Sequence, residues 1–133
     1  MIPRMCVFTA ITLGLALTRA PRADLPPASP KAVKHLQKKL EAARTAFKEV
    51  WPGQWGDVEV PYRWSCRWLK AEQELSPRTE DHVTALQAHA ERMRELERVV
   101  KGLYRRRLVA LDQVRAAEFY VAEAEAWLGQ ATE

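Results

Sequence analysis

Apolar positions return along most of the chain at alternating spacings of three and four. Val33, Leu36, Leu40, Ala43, Phe47 and Val50 step by 3, 4, 3, 4 and 3. That pattern lays one apolar stripe along a helix and demands a partner helix. Ser29-Pro30 opens it, with Ser suited to the N-cap and Pro preset for the first helical position. Pro52-Gly53 closes it in a turn, so the spacing predicts a helix over 30–51. Asp57 is expected to cap a second helix over 57–75, with Pro61 tolerated in its first turn. Trp64, Trp68, Ala71 and Leu75 form one stripe there, and Tyr62, Cys66 and Leu69 an adjacent one. An apolar face that wide is expected to be covered on two sides.

Ser76-Pro77 repeats the start signal of Ser29-Pro30. It either opens a third helix over 77–106 or kinks one long helix. Val83, Leu86, Ala90, Met93, Leu96, Val100 and Leu103 carry that stretch. After a turn near 106–110, Val114, Ala117, Val121, Ala124 and Leu128 mark a fourth helix over 110–129. No stretch alternates with period two for long enough to make a strand. The predicted class is all-α, a small coiled-coil-like bundle of antiparallel helical hairpins. A shift of 53 residues lays Ala71, Glu72 and Leu75 onto Ala124, Glu125 and Leu128. Residues 30–133 are therefore read as one helical domain built from two helix–turn–helix units.

The N-terminal residues change the picture. Arg4 is followed by residues 6–18, a run of 13 without a charge, and then by the polar, Pro-rich RAPRADLPPASP. That is the layout of a secretory signal, and the run is short of the roughly 20 residues a spanning helix needs. Residues 1–23 are read as a signal peptide ending at Ala20 or Ala23, residues 24–29 as a Pro-rich linker, and the mature chain as periplasmic or secreted. Arg19 and Arg22 work against export, and an uncleaved anchor is the alternative.

Composition follows from that division. The chain of 133 residues carries 21 basic and 17 acidic groups. Three of the basic residues (Arg4, Arg19 and Arg22) precede Asp24, which leaves 18 against 17, a net of +1. The excess positive charge of a nucleic-acid-binding domain is then missing. No nucleic-acid partner is expected for the mature chain, and a basic nucleic-acid or anionic-surface binder is viable only if the leader stays. Cys6 leaves with the leader, so Cys66 is expected as a single free thiol. Residues 31–48 hold six basic groups against Glu41, whereas residues 112–133 hold Arg115 against five acids. The first and last helices are therefore expected near one another. Glu97 and Lys101 sit at the favourable i,i+4 spacing.

The segment ELERVVKGLYRRRLVALDQVRAAEFYVAEAEAWL resembles a helical hairpin of the TolC-type outer-membrane efflux proteins. In that family a helix reaches a tip, turns, and returns through Asp, a hydrophobic residue and an Ala-Glu pair. Asp112, Val114, Ala117 and Glu118 occupy those places here. The chain departs at the tip, where Arg105-Arg106-Arg107 stands in place of the usual Gly. It also lacks the strands of the family's membrane barrel. The resemblance implies a helical hairpin in the cell envelope that touches similar hairpins.

Candidate chemistry is sparse. Trp51, Trp55, Trp64 and Trp68 fall within 18 residues around one turn. Tryptophan in such density reads either as a recognition surface or as a small core pinning the first two helices. The stripe assigns Trp64 and Trp68 to a helix contact and leaves Trp55, in its Gly-flanked turn, as the exposed one. Arg105, Arg106 and Arg107 form a basic helix end, favourable to the helix dipole and able to meet anionic headgroups or an acidic partner. His82 and His89 lie about 10 Å apart at 1.5 Å per helical residue, too far to share one zinc ion. No phosphate loop, serine elbow or Cys–His signature is present. Glu91 and Glu95 are interleaved with Arg94 and Arg98 and read as salt-bridge partners. Thin hairpins are not expected to supply the desolvated hollow a catalytic carboxylate needs. The reading is a non-enzymatic protein without cofactor or metal, acting through contact with another helical protein or with itself. Membrane contact is expected only through the N-terminal segment or the basic helix end. The alternative is an accessory of envelope transport that docks onto TolC-like assemblies.

Overall fold

Four helices make up nearly all of residues 28–51 and 57–133, the part of the chain that the computed structural model describes. They are α1 (Pro30–Val50), α2 (Glu59–Leu75), α3 (Thr79–Arg105) and α4 (Leu111–Thr132). The all-α class expected from the periodicity is what the chain adopts. Ser29 caps α1 as its sequence requires, its Oγ accepting the Ala32 N–H at 3.2 Å. None of these helices is long and apolar enough to cross a membrane.

Each helix packs against the next, as short connections favour. α1 runs antiparallel to α2, which sets Lys39 beside Glu74, Arg44 beside Glu72 and Phe47 beside Trp68. α3 runs antiparallel to both α2 and α4. The two parallel helices α2 and α4 touch through stacked rings, Tyr62 and Tyr120, with centroids 3.8 Å apart. The interior of α2–α4 falls into two apolar clusters. Val58, Ala90, Met93, Leu96, Val100, Val114, Ala117 and Ala124 form its larger part, while Leu69, Ala85 and Leu86 meet Trp127 and Leu128. α1 flanks this three-helix bundle and buries Leu40, Ala43 and Phe47.

Four expectations are settled or corrected. The segment around Ser76-Pro77 is a break between two helices, so of the two alternatives there the new helix holds and the long kinked helix does not. Ser76 organises that turn: its Oγ accepts from Arg78 N–H at 3.3 Å and donates to Asp81. His82 Nε2 donates to the Ser76 carbonyl across the same turn.

The second correction concerns charge. α1 and α4 are not a packed pair. Lys39 and Arg44 meet acids of α2, and the α4 carboxylates of Glu118 and Glu125 meet Lys101 and Arg94 of α3. Exposed ion pairs are worth only about 0–1 kcal/mol, too little to override which apolar stripes face each other.

The third concerns the register of α2. Its buried residues are Pro61, Ser65, Leu69 and Ala71, with Val58 just before the helix. Leu69 and Ala71 belong to the two expected stripes, whereas Pro61 and Ser65 run between them. Trp64 and Cys66 lie on either side of Ser65 and are half-buried. Ser65 is fully buried, with its hydroxyl bonded to His89 and Arg92 of α3.

The fourth is the start of α2. Asp57 sits one residue too early to be the N-cap, and its Oδ1 accepts the Glu59 N–H at 2.9 Å. The cap position falls to Val58, whose N–H is taken by Gln113 Oε1 of α4 at 3.0 Å. The start of α2 is thus held both by a local side chain and by one 55 positions away.

Candidate functional site

Trp68 projects from α2 into the seam between α1 and α3. Its ring meets Phe47 edge-on at 5.6 Å, and Phe47 in turn stacks on Trp51 at 5.8 Å. Two guanidinium groups lie over Trp68, that of Arg92 at 4.0 Å and that of Arg44 at 5.6 Å. The indole Nε1 donates to Glu72 Oε1 at 2.9 Å, and the same oxygen receives Arg44 at 3.2 Å. The cluster is thus a sandwich of two cations, one carboxylate and three aromatic rings. Cation–π contacts in such partly dry settings contribute roughly 1–2 kcal/mol each, and the aromatic bodies bury the rest of the seam.

Behind it lies a polar relay. Arg92 Nε donates to Ser65 Oγ at 2.7 Å, and Ser65 Oγ lies 2.8 Å from His89 Nδ1. The hydroxyl thus bridges the guanidinium and the imidazole, accepting from Arg92 while it shares a hydrogen bond with Nδ1. Burial, then the Arg92 charge, hold His89 down to about 4, and burial lowers Arg92 to about 10. His89 stacks on Trp127 at 5.7 Å, and its buried Nε2 has no partner among the described residues. Ser65 and His89 have no exposed surface at all. A substrate cannot reach the hydroxyl, and the pair acts as structural wiring for polar groups in an apolar layer.

Trp127 also walls a groove of about 1110 Å³ between α2, the start of α3 and the end of α4. Leu69, Val83 and Leu86 form its apolar floor, Cys66 opens onto it, and Lys70, Gln73, Glu74 and Gln130 edge it. Burial raises the Cys66 thiol above its ordinary range, which keeps it protonated and a weak nucleophile. Tyr62 donates to Glu123 near this wall, and burial raises its hydroxyl as well. The groove is open to solvent along its length and is not the desolvated hollow that a catalytic carboxylate needs. It lies beside the break at Ser76–Arg78 and is lined by residues of α2, α3 and α4.

The residues singled out in the sequence do not form one site. Trp51 and Trp68 converge on Phe47, and Trp51 also packs against the main core. Trp64 is half-buried, with the Arg67 guanidinium of its own helix over its ring at 4.4 Å. Trp55 lies outside the described residues. Arg105, Arg106 and Arg107 are exposed around the end of α3, in another part of the fold. His82 and His89 serve separate partners, and no group of three or more potential metal ligands gathers among the described residues.

Sequence reasoning missed Ser65, His89 and Arg92 as a unit. Their only signal was a serine interrupting an apolar stripe, 24 positions from its histidine. No family model, curated protein or solved structure matches this chain.

Proposed function

We propose that this chain acts by protein–protein contact without catalysis, in the periplasm or outside the cell. The observation that supports this most is the groove between α2, α3 and α4. Its apolar floor with a polar edge suits one amphipathic helix of a partner, which would lay its stripe on Leu69, Val83, Leu86 and Trp127. The chemistry of the buried polar groups is consistent with that role, since His89 and Arg92 are committed to holding the helices together.

Photo-crosslinking from Gln73 and Gln130, in cells that make the protein, tests the reading. The expected result is the same discrete adduct from both positions, lost in Val83→Asp and absent when the probe sits at exposed Lys34. Adducts from Lys34 alone would place the contact elsewhere. N-terminal sequencing of the exported protein tests the compartment, with a start near Pro21 or Asp24 expected.

A second reading, an accessory docking onto TolC-like helical assemblies, is favoured by one exposed side chain. Phe119 on the outer face of α4 is 62% exposed, the most of any large apolar residue described. It offers a lateral contact for a neighbouring hairpin. Phe119→Ser should then weaken co-purification with such an assembly while leaving the groove adducts intact.

A further inference from the structure

The turn that joins α3 to α4 is an uncompensated, apolar-cationic end. Arg105, Arg106 and Arg107 are all exposed, and none forms an ion pair among the described residues. Asp112 is the one acid close by in sequence, and the cations one turn back are already committed, Lys101 to Glu97 and Glu118 and Arg98 to Glu95. Three large apolar side chains flank the arginines: Leu108 is 54%, Leu111 46% and Tyr104 43% exposed. These include three of the four most exposed large apolar residues described.

Backbone conformation adds a second observation. Arg107 has φ +59°. Its N–H reaches the Tyr104 carbonyl at 2.9 Å, and the Leu108 N–H reaches Leu103 at 3.0 Å. This is the Schellman closure of a helix, whose left-handed residue is ordinarily Gly. An arginine there carries backbone strain that glycine avoids. The strained position is thus filled by a third adjacent cation, at some cost to the fold.

We infer that this helical tip docks onto an anionic lipid surface. The arginines would meet headgroup phosphates while Leu108 and Leu111 enter the boundary of the acyl layer. Shape favours lipid over a protein partner. The exposed apolar residues cluster around the turn itself, so they form a convex knob and not the i, i+3, i+4 stripe a partner helix would need. A convex, charged knob with apolar teeth fits a flat, deformable, negatively charged surface.

Sedimentation of the full chain tests this with phosphatidylcholine vesicles, with or without about one-third phosphatidylglycerol. Partitioning should be stronger on the anionic vesicles, and that excess should fall as salt rises. Arg107→Gly removes one charge and the strain together. It should lower anionic-vesicle partitioning about fivefold, the equivalent of ~1 kcal/mol per surface charge, while the protein becomes more stable. Misfolding would lower both, so the opposed signs separate docking from damage. Leu108→Ser with Leu111→Ser should weaken partitioning several-fold more on the same vesicles. Unchanged partitioning in Arg107→Gly would overturn the proposal. So would insensitivity to the two leucine changes together with equal binding to duplex DNA or polyglutamate, which would leave a non-specific charge effect or a protein contact.

Discussion

His89 couples the interior of the bundle to pH. Its imidazole is held at about 4 against an ordinary 6.5, so the unfolded chain takes up the proton first. The stabilisation from keeping it neutral is complete above about pH 6.5 and is lost as pH falls toward about 4. The full difference is on the order of 3 kcal/mol. Urea midpoints measured from pH 7 to 5 should therefore decline in the native protein and stay nearly level in His89→Leu. An equal slope in both would assign the effect to other groups. The tryptophans separate on the same scale. Trp68→Ala removes a ring that touches Phe47, Arg92, Arg44 and Glu72, and should cost about 3–5 kcal/mol. Trp64→Ala removes a ring whose cation partner is on its own helix, and should cost about 1–2 kcal/mol. Heptad spacing alone treats these two residues as equivalent. Only the rotation of α2 against two neighbours tells them apart.

At the scale of single elements, α1 is the plainest case of sequence dictating structure. Its cap, its first proline and its stripe all stand where the pattern puts them. Leu40 is buried on the α2 side and Lys38 faces solvent. Leu40→Ala should cost about 2–5 kcal/mol as a buried truncation, and Lys38→Ala within about 0.5 kcal/mol. Equal costs would remove α1 from the seam. The end of α3 runs the other way. Arg107→Gly should raise stability by about 0.5–1 kcal/mol, the relief of a left-handed residue less the backbone entropy that glycine adds. Thermal or urea unfolding of the single variant measures it. The sequence showed a turn near residues 106–110 but not which of three arginines takes the left-handed position. That depends on where the last α3 hydrogen bond closes.

In the whole molecule, α3 is the central element. It touches both α2 and α4, and it supplies Met93, His89 and Ala90, which have no exposed surface. α1 rests on one flank, and its first turns carry exposed Lys31, Lys34 and Lys38. Hydrogen exchange should divide accordingly. Amides of residues 86–100 should exchange only through global unfolding, and those of residues 31–38 through local opening with far lower protection. Uniform protection across α1 and α3 would mean that the flank and the bundle are one cooperative unit. Arrangement at this scale was the least legible from sequence. The opposite charges of the first and last helices suggested a neighbourhood, yet those charges are satisfied by the helices next to them in the chain.

The sequence by itself determined the local structure of this protein. The ends of the helices to within a few residues and the all-α class follow from a 3,4 apolar rhythm punctuated by Ser-Pro and Pro-Gly, because helix periodicity and chain punctuation are short-range properties. Tertiary structure decided what those helices do to one another. It turned α2 so that Ser65 became fully buried, and it gathered Arg92 and His89 onto that hydroxyl. It also gave Val58 a cap from Gln113 and opened a groove beside Trp127. Each of these joins residues at least 24 positions apart. Such pairings depend on the angle and rotation at which whole helices meet, and no spacing within a single helix encodes them.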